Sequence, residues 1–412
     1  MENYKKLIWE YSGRFYKNMT REAQGELKYP FIVPGSGSYC DCLWDWDSWL
    51  TDVAVRQIML DRGEDQSDFF EYEKGCILNF LEHAKSDGRI PIFLTEKGSQ
   101  NILEENSQNM HKPCLAQHAA FVVKSSGMSE WLQPYFLVLK SFLDCYYRNF
   151  YHEETGLYFW IDDGGIGVDN DPCTFYRPNR SSASIYLNCL MYKELEAMVY
   201  LSKMFGEDGE KYQSEASNLK QSIQTWLWDE KDGFYYSADL NLRPVDYHEK
   251  LHGNKPRHWP CLIQRIGVWS GFMAMWAGIA TPEQAKRMVE DNIRNSDTFW
   301  AEYGVRTLSK MEKMYCIEKS GNPSCWLGPI WGISNYMCFR GLINYGFEAE
   351  AKELADKTVR LFGKDIQKCG EMHEYYHPDT GEGVNNPGFQ NWNLLVNNII
   401  AWMEQRRVVK EF

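Results

Sequence analysis

The residues best suited to chemistry lie in the run Glu371-Met372-His373-Glu374-Tyr375-Tyr376-His377-Pro378-Asp379-Thr380-Gly381-Glu382-Gly383. His373-Glu374-x-x-His377 has the spacing with which a continuous helix offers two imidazoles to a zinc ion and a carboxylate to its water. Pro378 opposes that reading. The residue before a proline is pushed out of the α region, so His377 is expected to be extended or turning, with Asp379-Thr380-Gly381 forming a turn. His377 is also the last histidine of the sequence, so no third ligand follows. The competing reading needs no metal and no cofactor. It makes Glu374 one of a pair of acid–base carboxylates in an aromatic pocket, with its partner upstream.

The stretch Asp162-Asp163-Gly164-Gly165-Ile166-Gly167-Val168-Asp169-Asn170-Asp171-Pro172 supplies that partner. A calcium loop would order its acids differently and end in a distal Glu. A glycine-framed Asp169 beside the aromatic run Leu157 to Trp160 is instead expected in a poorly solvated pocket. Burial there raises its pKa, as a general acid requires. Upstream, Trp44-Asp45-Trp46-Asp47 alternates flat rings with carboxylates, a pattern in which rings stack on sugar C–H faces and carboxylates accept from hydroxyls. Asp47 or Ser48 also reads as a helix N-cap. In Asn109 to His118, Pro113 fits a first helical turn, and Gln117 one turn later is a candidate ligand contact. Trp326 and Trp331 flank a Gly-Pro turn that opens a helix, and both are expected on the side of the site.

These loops need a scaffold. Periodicity and breakers predict helices near 3–20, 47–61, 67–83, 113–126, 130–148, 180–204, 208–227, 267–277, 281–293, 329–344, 347–362 and 389–405. Twelve helices make six hairpins. Short links alternate with long ones rich in Gly, Pro, Asn and aromatics, which suggests a ring of hairpins with the long loops at one mouth. A weak repeat supports this. His152-Glu153-Glu154-Thr155-Gly156 resembles Asp229-Glu230-Lys231-Asp232-Gly233, and both echo His377-Pro378-Asp379-Thr380-Gly381, each predicted as a turn following a helix and leading into a short strand. No linker divides residues 1–412, so a single domain is expected.

Composition narrows the partner. A net charge of -13 argues against nucleic acid or an anionic membrane, both of which need clustered Lys and Arg. No apolar run of about 18 residues occurs, and the first residues show no signal-peptide pattern. The 12 cysteines are scattered, apart from Cys40-x-Cys42, which suggests a reducing, cytoplasmic setting. The aromatic share of 15%, with 16 Trp and 25 Tyr, suits a small carbohydrate.

Taken in order, these motifs resemble glycoside hydrolase family 63, which includes processing α-glucosidases and mannosylglycerate or glucosylglycerate hydrolases, and more distantly the family 37 trehalases. The resemblance runs from about Pro34 to Trp402. It is carried by Trp44 to Asp47, Gly167-Val168-Asp169-Asn170 with Pro172, Tyr303-Gly304-Val305-Arg306, Gly328-Pro329-Ile330-Trp331, and Glu374-x-Tyr376-x-Pro378 leading to Thr380-Gly381-Glu382-Gly383.

The resemblance implies an all-α (α/α)6 barrel and an inverting α-glycoside hydrolase, with Asp169 as general acid and Glu374 as general base about 6.5–9.5 Å apart. It implies sugar contacts from Trp44, Asp45, Trp46, Asp47, Trp326 and Trp331; beside these, Lys112, Gln117, Tyr376 and Trp392 are expected to complete the substrate-binding set.

The chain departs from the family pattern at Lys112-Pro113-Cys114, where Gln-Pro-Pro is common, at Leu327, where Arg often precedes Gly-Pro, and at Tyr186, where an acid usually precedes Leu-Asn. Lys112, His111 and Lys255-Pro256-Arg257-His258 are therefore candidates to bind a carboxylate-bearing aglycone such as glycerate. A sugar 2-epimerase on the same ring of helices is the alternative, with His248, His252 and His258 as its acid–base candidates. The zinc peptidase ranks behind it.

Overall fold

The computed structural model describes residues 1–35, 37–99, 108–242, 259–318 and 324–412. Among them are twelve α-helices, one for each predicted. They are α1 (Glu2–Phe15), α2 (Asp45–Arg62), α3 (Phe70–Glu82), α4 (Leu115–Ser126), α5 (Phe136–Asn149), α6 (Ile185–Met204), α7 (Glu210–Trp226), α8 (Met273–Trp276), α9 (Pro282–Arg287), α10 (Gly332–Asn344), α11 (Glu348–Cys369) and α12 (Val396–Met403). Each even-numbered helix packs on the next even-numbered one, and α12 returns to α2, so these six close a ring. Of the odd-numbered helices, α1, α3, α7 and α11 pack against that ring from outside. The alternation of inner and outer helices makes an (α/α)6 barrel.

Burial explains which helix goes where. Every residue from Asp45 to Met59 in α2, from Leu115 to Val123 in α4 and from Gly332 to Leu342 in α10 is buried, the state of a helix packed on all sides. In α7 only Tyr212, Ala216, Leu219 and Ile223 are buried, a single stripe at helical spacing.

Some expected boundaries shift. The segment predicted as helix from 180 begins instead with a strand, Ser182–Ala183, paired to Ser237–Asp239. A 3-10 turn, Trp269–Phe272, precedes the short α8, and another, Asn391–Leu395, precedes α12. A π-helical turn, Met288–Ile293, continues α9.

The three repeated turns share one geometry. The amides of Gly156, Gly233 and Gly381 donate to the carbonyls of His152, Asp229 and His377 at 2.8, 2.9 and 2.8 Å. The glycines have φ of 70°, 64° and 68°, the left-handed region that a side chain disfavours. In the first two, the turn joins paired strands, Tyr151–His152 with Leu157–Tyr158 and Trp228–Asp229 with Phe234–Tyr235. The third follows Tyr375–Tyr376, which pairs antiparallel with Ile330–Trp331. That pairing ties the segment carrying Glu374 to the start of α10.

At the other end of the ring, Glu411 is buried and accepts from Trp276 Nε1 (2.9 Å) in α8 and from Tyr336 (2.6 Å) and Arg340 (2.9 Å) in α10. No helix among the described residues is long and apolar enough to cross a membrane.

Candidate active site

A cavity of about 260 Å3 opens where the inner helices begin. Trp44, Trp46 and Asp47 reach it from the start of α2, and Lys112 from just before α4. Trp331 comes from just before α10, and Phe389 and Trp392 from the approach to α12. Tyr39, Gly165, Gly167, Asp169, Ser324 and Glu374 complete the lining from the loops. Four indoles and a phenyl ring thus surround a small set of polar groups, the composition of a small-molecule site.

Asp169 and Glu374 enter this space from separate loops. The Asp169 loop approaches closely because Gly167 has φ 86° and no side chain. A Cβ there would lie 2.8 Å from Trp46 Cζ2 and 2.9 Å from Lys112 Cε. Burial pushes the Asp169 carboxyl above the ordinary aspartate range and the Asp163 charge adds to this, against the Ser324 hydrogen bond and the Lys112 charge. Glu374 is buried and better supplied with donors. Tyr39 Oη donates to Oε1 at 3.3 Å, Asn385 Nδ2 donates to Oε2 at 3.0 Å, and Asn386 Nδ2 also donates to Oε2. Burial still outweighs them, and with the Asp169 charge nearby Glu374 also sits above its ordinary value.

Asp47 is the third carboxylate of the cavity. Burial and the adjacent Asp45 charge push it up to about 7, against Lys112 and a hydrogen bond from Asn391. Asn391 is itself held by Thr51 at 3.0 Å.

Of the twelve residues predicted for the site, eight line the cavity: Asp169, Glu374, Trp44, Trp46, Asp47, Lys112, Trp331 and Trp392. Asp45 does not. Its carboxylate is spent on Lys112 Nζ (2.9 and 3.1 Å) and on the amides of Trp46 (2.8 Å) and Lys112 (3.0 Å). Gln117 is buried with its Nε2 on the carbonyls of Pro113 (2.8 Å) and Leu190 (3.1 Å). Trp326 lies behind Trp331, stacked on it at 3.9 Å and 12°. Tyr376 turns away to donate to Asp365 at 2.9 Å.

The sequence reading missed Tyr39, Asn385, Asn386, Ser324 and Phe389. Tyr39 opens the loop that holds the Trp-Asp run, and the Asn-Asn pair follows Glu374 closely, so proximity in sequence was the available signal.

Two other expectations are corrected. His373 and His377 share no helix, because Tyr375–Tyr376 is extended. His373 Nδ1 is bonded to Asp365 (2.8 Å), and His377 Nδ1 accepts from the amides of Asp379 and Thr380 (both 3.2 Å), so the peptidase geometry is not formed. His111 lies outside the cavity, edge-on to Phe80 and Phe142 with Nδ1 bonded to the Lys112 carbonyl, and burial lowers it to about 4. Lys112 lines the cavity, but its charge is already matched by buried Asp45. His248, His252, Lys255, Pro256, Arg257 and His258 lie outside the described residues.

Residues 41–392 match the family of mannosylglycerate hydrolase MGH1-like glycoside hydrolase domains. The chain belongs to that family. Within it or near it, the chain is similar to mannosylglycerate hydrolase MGH2 of Selaginella moellendorffii, 23% identical across 90% of the chain and 82% of that protein. It is also similar to the cytosolic neutral trehalase of Kluyveromyces lactis, 25% identical over 253 residues, which are 58% of the chain and 31% of the trehalase. The chain spans only about a third to a half of the trehalases it matches. In fold it resembles the GH63 mannosylglycerate hydrolase from Thermus thermophilus in complex with glucose. The TM-score is 0.70 at 18% identity, covering 95% of the chain and 98% of that structure.

Proposed function

We propose that the cavity is the active site of an inverting glycoside hydrolase that cleaves a small α-glucoside or α-mannoside. Asp169 is its general acid and Glu374 its general base. The observation that carries the assignment is the unequal hydrogen bonding of two carboxylates in one aromatic cavity. Glu374 receives three side-chain donors, which favour the ionised form a base needs. Among the described residues Asp169 has no comparable set of donors, and burial holds it above the ordinary aspartate range, which favours the protonated form an acid needs.

In the reaction Asp169 gives its proton to the glycosidic oxygen, and the departing aglycone leaves as an alcohol. Glu374 takes a proton from the water that bonds to the anomeric carbon from the other face, so the product anomer is inverted. Trp44, Trp46, Trp331 and Trp392 offer faces or edges to the sugar, and Asp47 and Lys112 are the polar groups placed to meet its hydroxyls. The cavity lies at the small end of ligand pockets, which favours a disaccharide or a glycosylglycerate over a polymer. The named relatives, a mannosylglycerate hydrolase and a trehalase, bracket that range. Because Asp45 already matches the Lys112 charge, a preference for a carboxylate-bearing aglycone does not rest on Lys112.

Proton NMR of the purified protein with mannosylglycerate, glucosylglycerate, trehalose, kojibiose and nigerose tests the reading. Turnover of one or more of these supports it and names the substrate. Binding of the intact compounds without any turnover would make the protein a sugar-binding module instead.

A further inference from the structure

A second cavity, of about 320 Å3, lies at the opposite end of the ring from the active site. Tyr336, Phe339 and Arg340 line it from the second half of α10, Trp402 from the end of α12, and Arg406 and Lys410 from the segment after α12. Three cations thus line one cavity, and no described acid does. Arg340 is more than nine-tenths buried and is held by Glu411 through Nε at 2.9 Å. A guanidinium carries five N–H donors in a fixed fork, so one bond through Nε leaves it the means to meet a second acceptor. Arg406 is held by Glu404 through Nε at 2.9 Å and by Asp61 through Nη1. Lys410 is exposed and pairs with no acid among the described residues. Beside these charges, Trp402 stands edge-on to Phe339 with ring centroids 5.2 Å apart.

The charges decide what such a cavity accepts. Glu411 balances Arg340, and Asp61 and Glu404 balance Arg406, so Lys410 is the cation of this lining left without an acid. One unmatched positive charge favours a monoanion over the dianion of a phosphate monoester. Arginine forks suit the two oxygens of a carboxylate, and the indole and phenyl rings suit a flat apolar body. We propose that this cavity binds a small monocarboxylate with an aromatic or ring-shaped apolar body. Its carboxylate meets Lys410 and the two guanidinium groups, and its ring packs on Trp402 and Phe339. The site stands apart from the active site and does not depend on the chemistry assigned there.

Ligand-observed NMR titration of the full chain with phenylacetate, acetate, phenylacetamide and phenyl phosphate tests this. Phenylacetate is expected to bind. Acetate lacks the ring and phenylacetamide lacks the charge, and each is expected to bind at least about tenfold more weakly. Phenyl phosphate is expected to bind no more tightly than phenylacetate. Lys410→Gln removes the unmatched charge at an exposed position outside the helices and is expected to weaken phenylacetate about tenfold. Arg406→Gln is expected to weaken it in the same direction.

Absence of phenylacetate binding at millimolar concentration would overturn the proposal. So would acetate or phenylacetamide that binds as tightly as phenylacetate, because the ring or the charge would then play no part. Tighter binding of phenyl phosphate would overturn the assignment to a monocarboxylate. Undiminished phenylacetate binding in Lys410→Gln would place the ligand elsewhere, the active-site cavity included, and would overturn the site itself.

Discussion

The base role proposed for Glu374 rests on two opposed effects. Burial raises the cost of its charge, while Tyr39, Asn385 and Asn386 lower that cost. Removing a donor therefore raises the Glu374 pKa further. A general base must be ionised to act, so Tyr39→Phe and Asn386→Ala are each expected to move the acidic limb of the kcat/KM profile to higher pH by about one unit, the scale of one hydrogen bond to a charged group. At low pH this reads as a loss of about tenfold. An unmoved acidic limb in both variants would contradict the role given to Glu374. The types of the site residues were legible in the sequence, but their facing was not. Asp45 and Asp47 are two residues apart, yet the Lys112 ammonium claims Asp45 and leaves Asp47 to the cavity. Trp326 and Trp331 flank the same turn, and stacking puts one behind the other. Such choices depend on partners distant in sequence, as with Tyr39 and Glu374.

At the scale of elements the sequence was more informative. Apolar spacing and breakers placed all twelve helices, and the three Gly-ended turns were visible as a repeat because each needs the left-handed conformation at the same position. The boundaries that moved lie where strand pairing or a 3-10 turn competes with the helix, as at Ser182–Ala183 and Trp269–Phe272. The loop carrying Asp169 depends on one glycine. Gly167→Ala combines a strained φ with contacts to Trp46 and Lys112 that are too short. It is expected to lower kcat/KM at least tenfold through displacement of Asp169, while the melting temperature changes little because the loop lies outside the helical ring. A variant with wild-type kcat/KM would show that the position of this loop does not control the chemistry.

At the scale of the whole molecule, Glu411 joins the neighbouring inner helices α8 and α10. Burial disfavours its charge, but Arg340, Tyr336 and Trp276 together hold it below the ordinary glutamate value of 4.5. A carboxylate depressed in the folded state contributes stability above its unfolded pKa and loses it as pH falls through the folded one. Glu411→Ala also leaves Arg340 buried without its carboxylate. It is expected to cost about 3 kcal/mol at pH 7 in denaturant unfolding, with the difference shrinking below about pH 4. Equal stability of variant and wild type at pH 7 would remove Glu411 from the account.

The ring in turn holds the starts of α2, α4, α10 and α12 around one cavity, and the central claim is that its two loop carboxylates divide acid and base roles there. The most direct test follows the anomeric proton during the first minutes of hydrolysis, in wild type, Asp169→Asn and Glu374→Gln. The account predicts that the β-anomer appears first from an α-linked substrate and that each variant loses at least about a hundredfold in rate. Initial release of the α-anomer, or wild-type turnover in either variant, would contradict it.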